Sequence, residues 1–150
     1  MAKFKFRMAT LLKVRETVRD DRRAELLEAQ RADDILGQRQ EQFDRELDAL
    51  RSAYRQAAGP GTVDVDRLVT TQRYEVSLKA QVQQLGRQRE LLAGEIERRR
   101  QALVQANREV RVLEKLRERQ TEHHAQEEDH RERKLLDEVA QHRLRAEEEP

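Results

Sequence analysis

The residues able to do chemistry in this chain are few, and they gather late in the sequence. His123, His124, His130 and His142 are the four histidines, and Glu127 with His130 has the Glu-x-x-His spacing of carboxylate-bridged metal sites. Such a site takes the motif twice, on helices that face one another across an apolar core. Here it falls in the least apolar part of the chain, since Ala125 is the only apolar residue between Arg117 and Lys134. The histidines are therefore assigned to solvated helix surface, and no metal and no cofactor is expected. Cysteine is absent, which removes disulfides and thiolate chemistry. No Gly-rich phosphate loop, nucleophile elbow or Ser/His/Asp arrangement occurs, and two paired helices have no cleft from which to exclude water. We expect no enzyme.

The remaining composition explains why catalysis is the wrong place to look. Of 150 residues, 41% are charged and only 3% aromatic, too little apolar matter for a thick globular core. Basic and acidic residues nearly balance at 31 and 30, and proline occurs twice, which separates the chain from a disordered polyelectrolyte. Near-neutrality also argues against a dedicated nucleic-acid binder. No stretch of eighteen apolar residues exists, and Met1 to Leu12 lacks the apolar core of a secretory signal, so direct membrane insertion is not expected and a cytosolic location is.

The strong punctuation is Gly59-Pro60-Gly61; all else has the composition and spacing of helix. The expected fold is all-α: a long two-helix antiparallel coiled-coil hairpin with a polar C-terminal helical overhang. It forms a single domain over residues 1–150, with helix 1 at about 4–57, a turn at 58–62 and helix 2 at about 63–146. Asp64 or Thr62 supplies the cap of the second helix. In the first arm Leu26, Ala29, Leu36, Phe43, Leu47, Leu50 and Tyr54 follow a three-and-four spacing, interrupted by Asp33 and Gln40. Phe4, Met8, Leu11, Val14 and Val18 make an earlier stretch, and joining it to Leu26 calls for a stutter. In the second arm Leu78, Val82, Leu85, Leu92, Ile96, Leu103, Ala106, Val110 and Leu113 keep the spacing, broken by Arg89 and Arg99. Leu135, Leu136 and Val139 form a short late patch.

A turn centred on Pro60 sets Phe4 near Leu116, so the second stripe ends where its partner helix begins. It also sets Gly37 nearly opposite Gly86, a candidate soft point. The same register brings residues 1–23 and 97–119 to one end. The first segment has eight Lys or Arg against three acids, and the second has eight against four. Two readings stand: ordinary solvated faces of a coiled coil, or a cationic pin that enters a complementary hole. Toward the turn Phe43, Tyr54 and Tyr74 gather with Leu47, Leu50 and Leu78, either as seam alone or as seam with rings left available to a partner.

Two runs carry a resemblance. The opening Phe4-Lys5-Phe6-Arg7-Met8-Ala9-Thr10-Leu11-Leu12-Lys13-Val14-Arg15-Glu16 and the later Arg108-Glu109-Val110-Arg111-Val112-Leu113-Glu114-Lys115-Leu116-Arg117-Glu118-Arg119 resemble the flagellar export protein FliJ family of bacteria, as does the late Leu135-Leu136-Asp137-Glu138 stretch. The resemblance implies a non-enzymatic stalk and coupling factor, and general chaperone, of flagellar type III protein export, similar to the central stalk of rotary ATPases. Its implied partners are the hexameric export ATPase ring, the cytoplasmic domain of the transmembrane export gate, and export chaperones. It further implies a cytoplasmic protein peripherally associated with the inner face of the cell membrane at the flagellar base, serving flagellar assembly and motility. On this resemblance the ring contact falls to Phe4, Arg7, Leu11, Arg15, Arg111, Lys115 and Arg119. The gate contact falls to Phe43, Leu47, Leu50, Tyr54, Tyr74 and Leu78, with Leu50 standing where the pattern would have a second tyrosine. The alternatives are the stalk of a virulence-type secretion system and a purely structural coiled-coil scaffold.

Overall fold

Proline and glycine decide where the helix stops. The computed structural model describes residues 4–148 and contains helix α1, Ala9–Ala57, and helix α2, Val65–Glu148. The ends of the expected 1–150 domain, residues 1–3 and 149–150, lie outside the described residues. At the close of α1 the Ala58 amide donates to the Tyr54 carbonyl and the Gly59 amide to that of Gln56. Pro60 then offers no amide, and Gly61 takes φ +145°, a value at which a side chain would be strained. Asp64 is the cap of α2: its carboxylate accepts from the Arg67 amide at 3.1 Å and its carbonyl from the Leu68 amide at 3.1 Å. Asp66 adds an acid to the first turn, where the helix dipole favours it. The connection is thus two residues longer than expected, because Asp64 and not Thr62 does the capping.

The helices pack against each other as an antiparallel hairpin. Arg15 meets Glu109, Asp33 meets Arg89, and Glu46 meets Tyr74, pairs that straddle positions 60 to 62. Contacts divide the chain into two compact units, one formed by the segments up to Asp20 and from Val104 onward, the other by Asp21–Leu103. In the second unit Leu26, Ala29, Leu47, Leu78 and Leu85 are buried. Leu36, Phe43, Leu50, Val82, Leu92, Ile96 and Leu103 are half-buried, because two helices enclose a seam only from two sides. Each of the buried leucines, Leu26, Leu47, Leu78 and Leu85, contributes about 1.5–3 kcal/mol.

The first unit has its own core of Leu12, Val110 and Leu113, with Phe6 packed against it and Ala106 buried nearby. This corrects the expected stripe. Leu12 faces inward, whereas Met8 and Leu11 are each 43% exposed and Val14 is 53% exposed. Leu12, Arg19 and Leu26 are spaced by heptads, so the buried phase of α1 needs no stutter. Helix α1 also begins later than residue 4: the first turn opens with the Ala9 amide on the Phe6 carbonyl and the Leu12 amide on that of Met8. Phe4 to Met8 precede the helix, and this lets Phe6 swing onto the Leu12 core.

Helix α2 continues through the polar stretch after Leu116. Every side chain from Arg117 to Arg143 except His124 and Glu128 is exposed. Pairs one turn apart stand in for packing, among them Arg131 with Glu128 at 3.2 Å and Arg133 with Asp129 at 2.7 Å. Among the described residues, no helix is long and apolar enough to cross a membrane.

Candidate partner-binding surfaces

Three of the four polar interruptions of the two seams, Arg89, Asp33 and Gln40, are each other's partners. Arg89 sits where the pattern of α2 asks for an apolar residue, and its guanidinium crosses to α1. There Nε donates to Asp33 Oδ1 at 2.9 Å, Nη2 to Asp33 Oδ2 at 3.1 Å, and Nη1 to Gln40 Oε1 at 3.1 Å. Asp33, Gly37 and Gln40 lie on successive turns of one face of α1, and the guanidinium lies over Gly37, 3.6 Å from where a β-carbon would stand. The Arg89 guanidinium thus covers Gly37, while open space lies beside Gly86. The hydrogen bonds from Arg89 hold the Asp33 carboxyl below its ordinary range; the Arg89 charge adds to this, and partial burial opposes it. Arg99, the second interruption, donates Nη1 to the Glu25 carbonyl at 2.6 Å and Nε to Glu95 at 2.9 Å.

The proposed gate residues all belong to this unit, and they divide by burial. Leu47 and Leu78 are closed between the helices at 7% and 2% exposure. Phe43 and Leu50 are half-buried, while Tyr54 and Tyr74 are exposed. The Tyr74 hydroxyl donates to Glu46 Oε2 at 3.2 Å. That hydrogen bond to a carboxylate, with the negative charge behind it, pushes the Tyr74 hydroxyl above its ordinary pKa. The two leucines therefore hold the seam in place, and the rings are what a partner can touch.

The proposed ring-contact residues all belong to the other unit. Arg15 is half-buried and paired through Nη1 with Glu109 Oε2 at 2.7 Å. Arg7, Leu11, Arg111, Lys115 and Arg119 are exposed. Phe4 is half-buried, its ring tilted 57° against the His124 imidazole with centroids 5.6 Å apart. His123 Nδ1 lies 3.6 Å from Glu127 Oε1, one turn along α2. Val104, Asn107, Arg108, Arg111, Val112 and Lys115 line a shallow groove on α2 that the seam spacing does not mark. Its valines are exposed at 44% and 67%, off the seam spacing, which was the signal available.

A helical hairpin with a polar-studded seam and with cationic and aromatic side chains left outside is the class of protein that this fold defines. A sequence model described as "Flagellar FliJ protein" matches residues 4–149, and the chain belongs to the FliJ family. No curated protein and no solved structure matches it. Membership implies a role related to flagellar export, in a family of non-enzymatic export components.

Proposed function

We propose that this chain is the stalk and coupling factor of flagellar type III protein export, inserting into the hexameric export ATPase and contacting the cytoplasmic domain of the export gate. It acts from the cytoplasm, recruited peripherally to the membrane at the flagellar base, and it handles export chaperones. The observation that carries the reading is the unit with the Leu12 core. There exposed Arg7, Arg111, Lys115 and Arg119 accompany exposed Leu11. Cations beside an unburied leucine suit entry into an acidic, partly apolar hole, where charge steers and the apolar group anchors. The second unit leaves Tyr54 and Tyr74 exposed over the buried Leu47 and Leu78, an arrangement suited to the gate.

The test is ATPase turnover by the purified flagellar export ATPase with and without this protein. Stimulation and promotion of hexamers are expected, and both are lost when Arg7, Arg111 and Lys115 are changed to Glu. Failure of the unaltered chain to bind or stimulate would favour a structural scaffold, and stimulation that survives the charge reversals would overturn the assignment of the pin.

A further inference from the structure

The outer face of α2 in the unit with the Leu12 core carries a stripe unused by the seam. Ala106, Val110 and Leu113 face α1 and are buried. On the other side of the helix, at the same three-and-four spacing, stand Val104, Arg108, Arg111 and Lys115. The spacing continues through Glu118, Glu122, Ala125, Asp129 and Glu132, then ends in Leu136 and Val139. Every one of these positions is exposed, and the apolar members at the two ends, Val104 and Leu136, are 44% and 68% exposed. A stripe that reads apolar, basic, acidic, apolar is complementary to itself when reversed.

We propose that this face pairs antiparallel with the same face of a second copy of the chain. With the two-fold axis near position 120, Val104 lies opposite Leu136 of the second copy, Arg108 opposite its Glu132, and Arg111 opposite its Asp129. Symmetry repeats each pair, as an isologous interface requires. The overlap covers about 50 Å of helix at 1.5 Å per residue. Parallel pairing in register would set Arg108 and Arg111 against themselves, so charge selects the antiparallel arrangement. Asp129 already pairs with Arg133 at 2.7 Å, but that pair is largely exposed, and exchanging its partner costs little. Glu118 and Glu122 meet their counterparts near the axis, which keeps the association weak; the four attractive pairs outnumber these two repulsive ones, so added salt weakens the dimer on balance. Because the stripe includes Arg111 and Lys115, the dimer and the ring contact exclude one another; that consequence rests on the proposed function, and the self-pairing does not.

Sedimentation equilibrium of the full chain at low and high salt tests the pairing. Reversible dimers that weaken with salt are expected. The double variant Arg108→Glu/Arg111→Glu, and separately Asp129→Arg/Glu132→Arg, should each weaken dimerisation by about a hundredfold or more, since four opposed pairs become like-charged. Joining all four changes in one chain should return the affinity to within about tenfold of the unaltered protein. Circular dichroism of each variant should report unchanged helicity, because the altered side chains are exposed. A chain that stays monomeric, dimers indifferent to either reversal, or no recovery in the fourfold variant would each overturn the proposal.

Discussion

Replacing Asp33 by Ala strikes the layer in which one arginine closes both interruptions of the seam. The change removes two hydrogen bonds to a charged carboxylate, at 2.9 and 3.1 Å, and leaves the Arg89 guanidinium with Gln40 alone. A buried charge-assisted bond contributes about 1.5–3 kcal/mol. Here the Arg89 and Asp33 side chains are 37% and 29% exposed, so water screens the pair and compensates part of the loss. About 1–2 kcal/mol of destabilisation is therefore expected for Asp33→Ala, and Arg89→Ala should be destabilising as well. The double variant should cost less than the sum of the two single changes. Urea unfolding followed by circular dichroism measures all three, at fixed ionic strength. Acid supplies an independent arm. Since the folded Asp33 titrates below its unfolded range, its contribution is fully present above the ordinary carboxylate pKa and is lost as pH falls through the depressed folded value. The coupling should thus be constant near neutrality and vanish in strong acid. A coupling within error of zero at neutral pH, or one that grows on acidification, would refute the account of the layer.

The remaining predictions follow from burial and backbone. Leu12→Ala should cost about 2–4 kcal/mol by opening the core against Val110 and Leu113, whereas Leu11→Ala should change stability by no more than about 0.5 kcal/mol yet weaken binding to the export ATPase; denaturation and a pull-down separate the two. Gly86→Ala and Gly94→Ala meet nothing within 4 Å and should each stabilise by up to about 1 kcal/mol through helix propensity, read as a rise in Tm. Gly61→Ala should do the reverse, because φ +145° is strained for any residue with a β-carbon. Tyr54→Ala with Tyr74→Ala should weaken binding to the gate's cytoplasmic domain in titration calorimetry and leave helicity and ATPase stimulation intact, whereas Leu78→Ala should lower stability as well.

Much of this protein was written in local pattern. The break at Gly59-Pro60-Gly61 depends on backbone chemistry that no neighbour can override, and the alternation of α2 from Leu78 to Leu113 marks one face whatever it packs against. Hence the helical hairpin and the antiparallel pairing followed from the sequence, as did the division of cationic and aromatic residues between different stretches. The interruptions at Asp33, Gln40, Arg89 and Arg99 were visible too, but as defects.

Only the partner helix turned them into contacts, since an arginine at a seam position is a fault until a carboxylate and a glycine stand across from it. The choice between Leu11 and Leu12 was likewise out of reach of periodicity. Adjacent residues differ by about 100° around the helix and both are apolar, so the inward one is fixed by where α2 lies. The same holds for the aromatic group near the turn: residue type and spacing place Leu47, Leu78, Tyr54 and Tyr74 together, but which side chains are sealed and which stay open depends on how closely two helix surfaces approach, a property of the pair and of neither sequence segment alone.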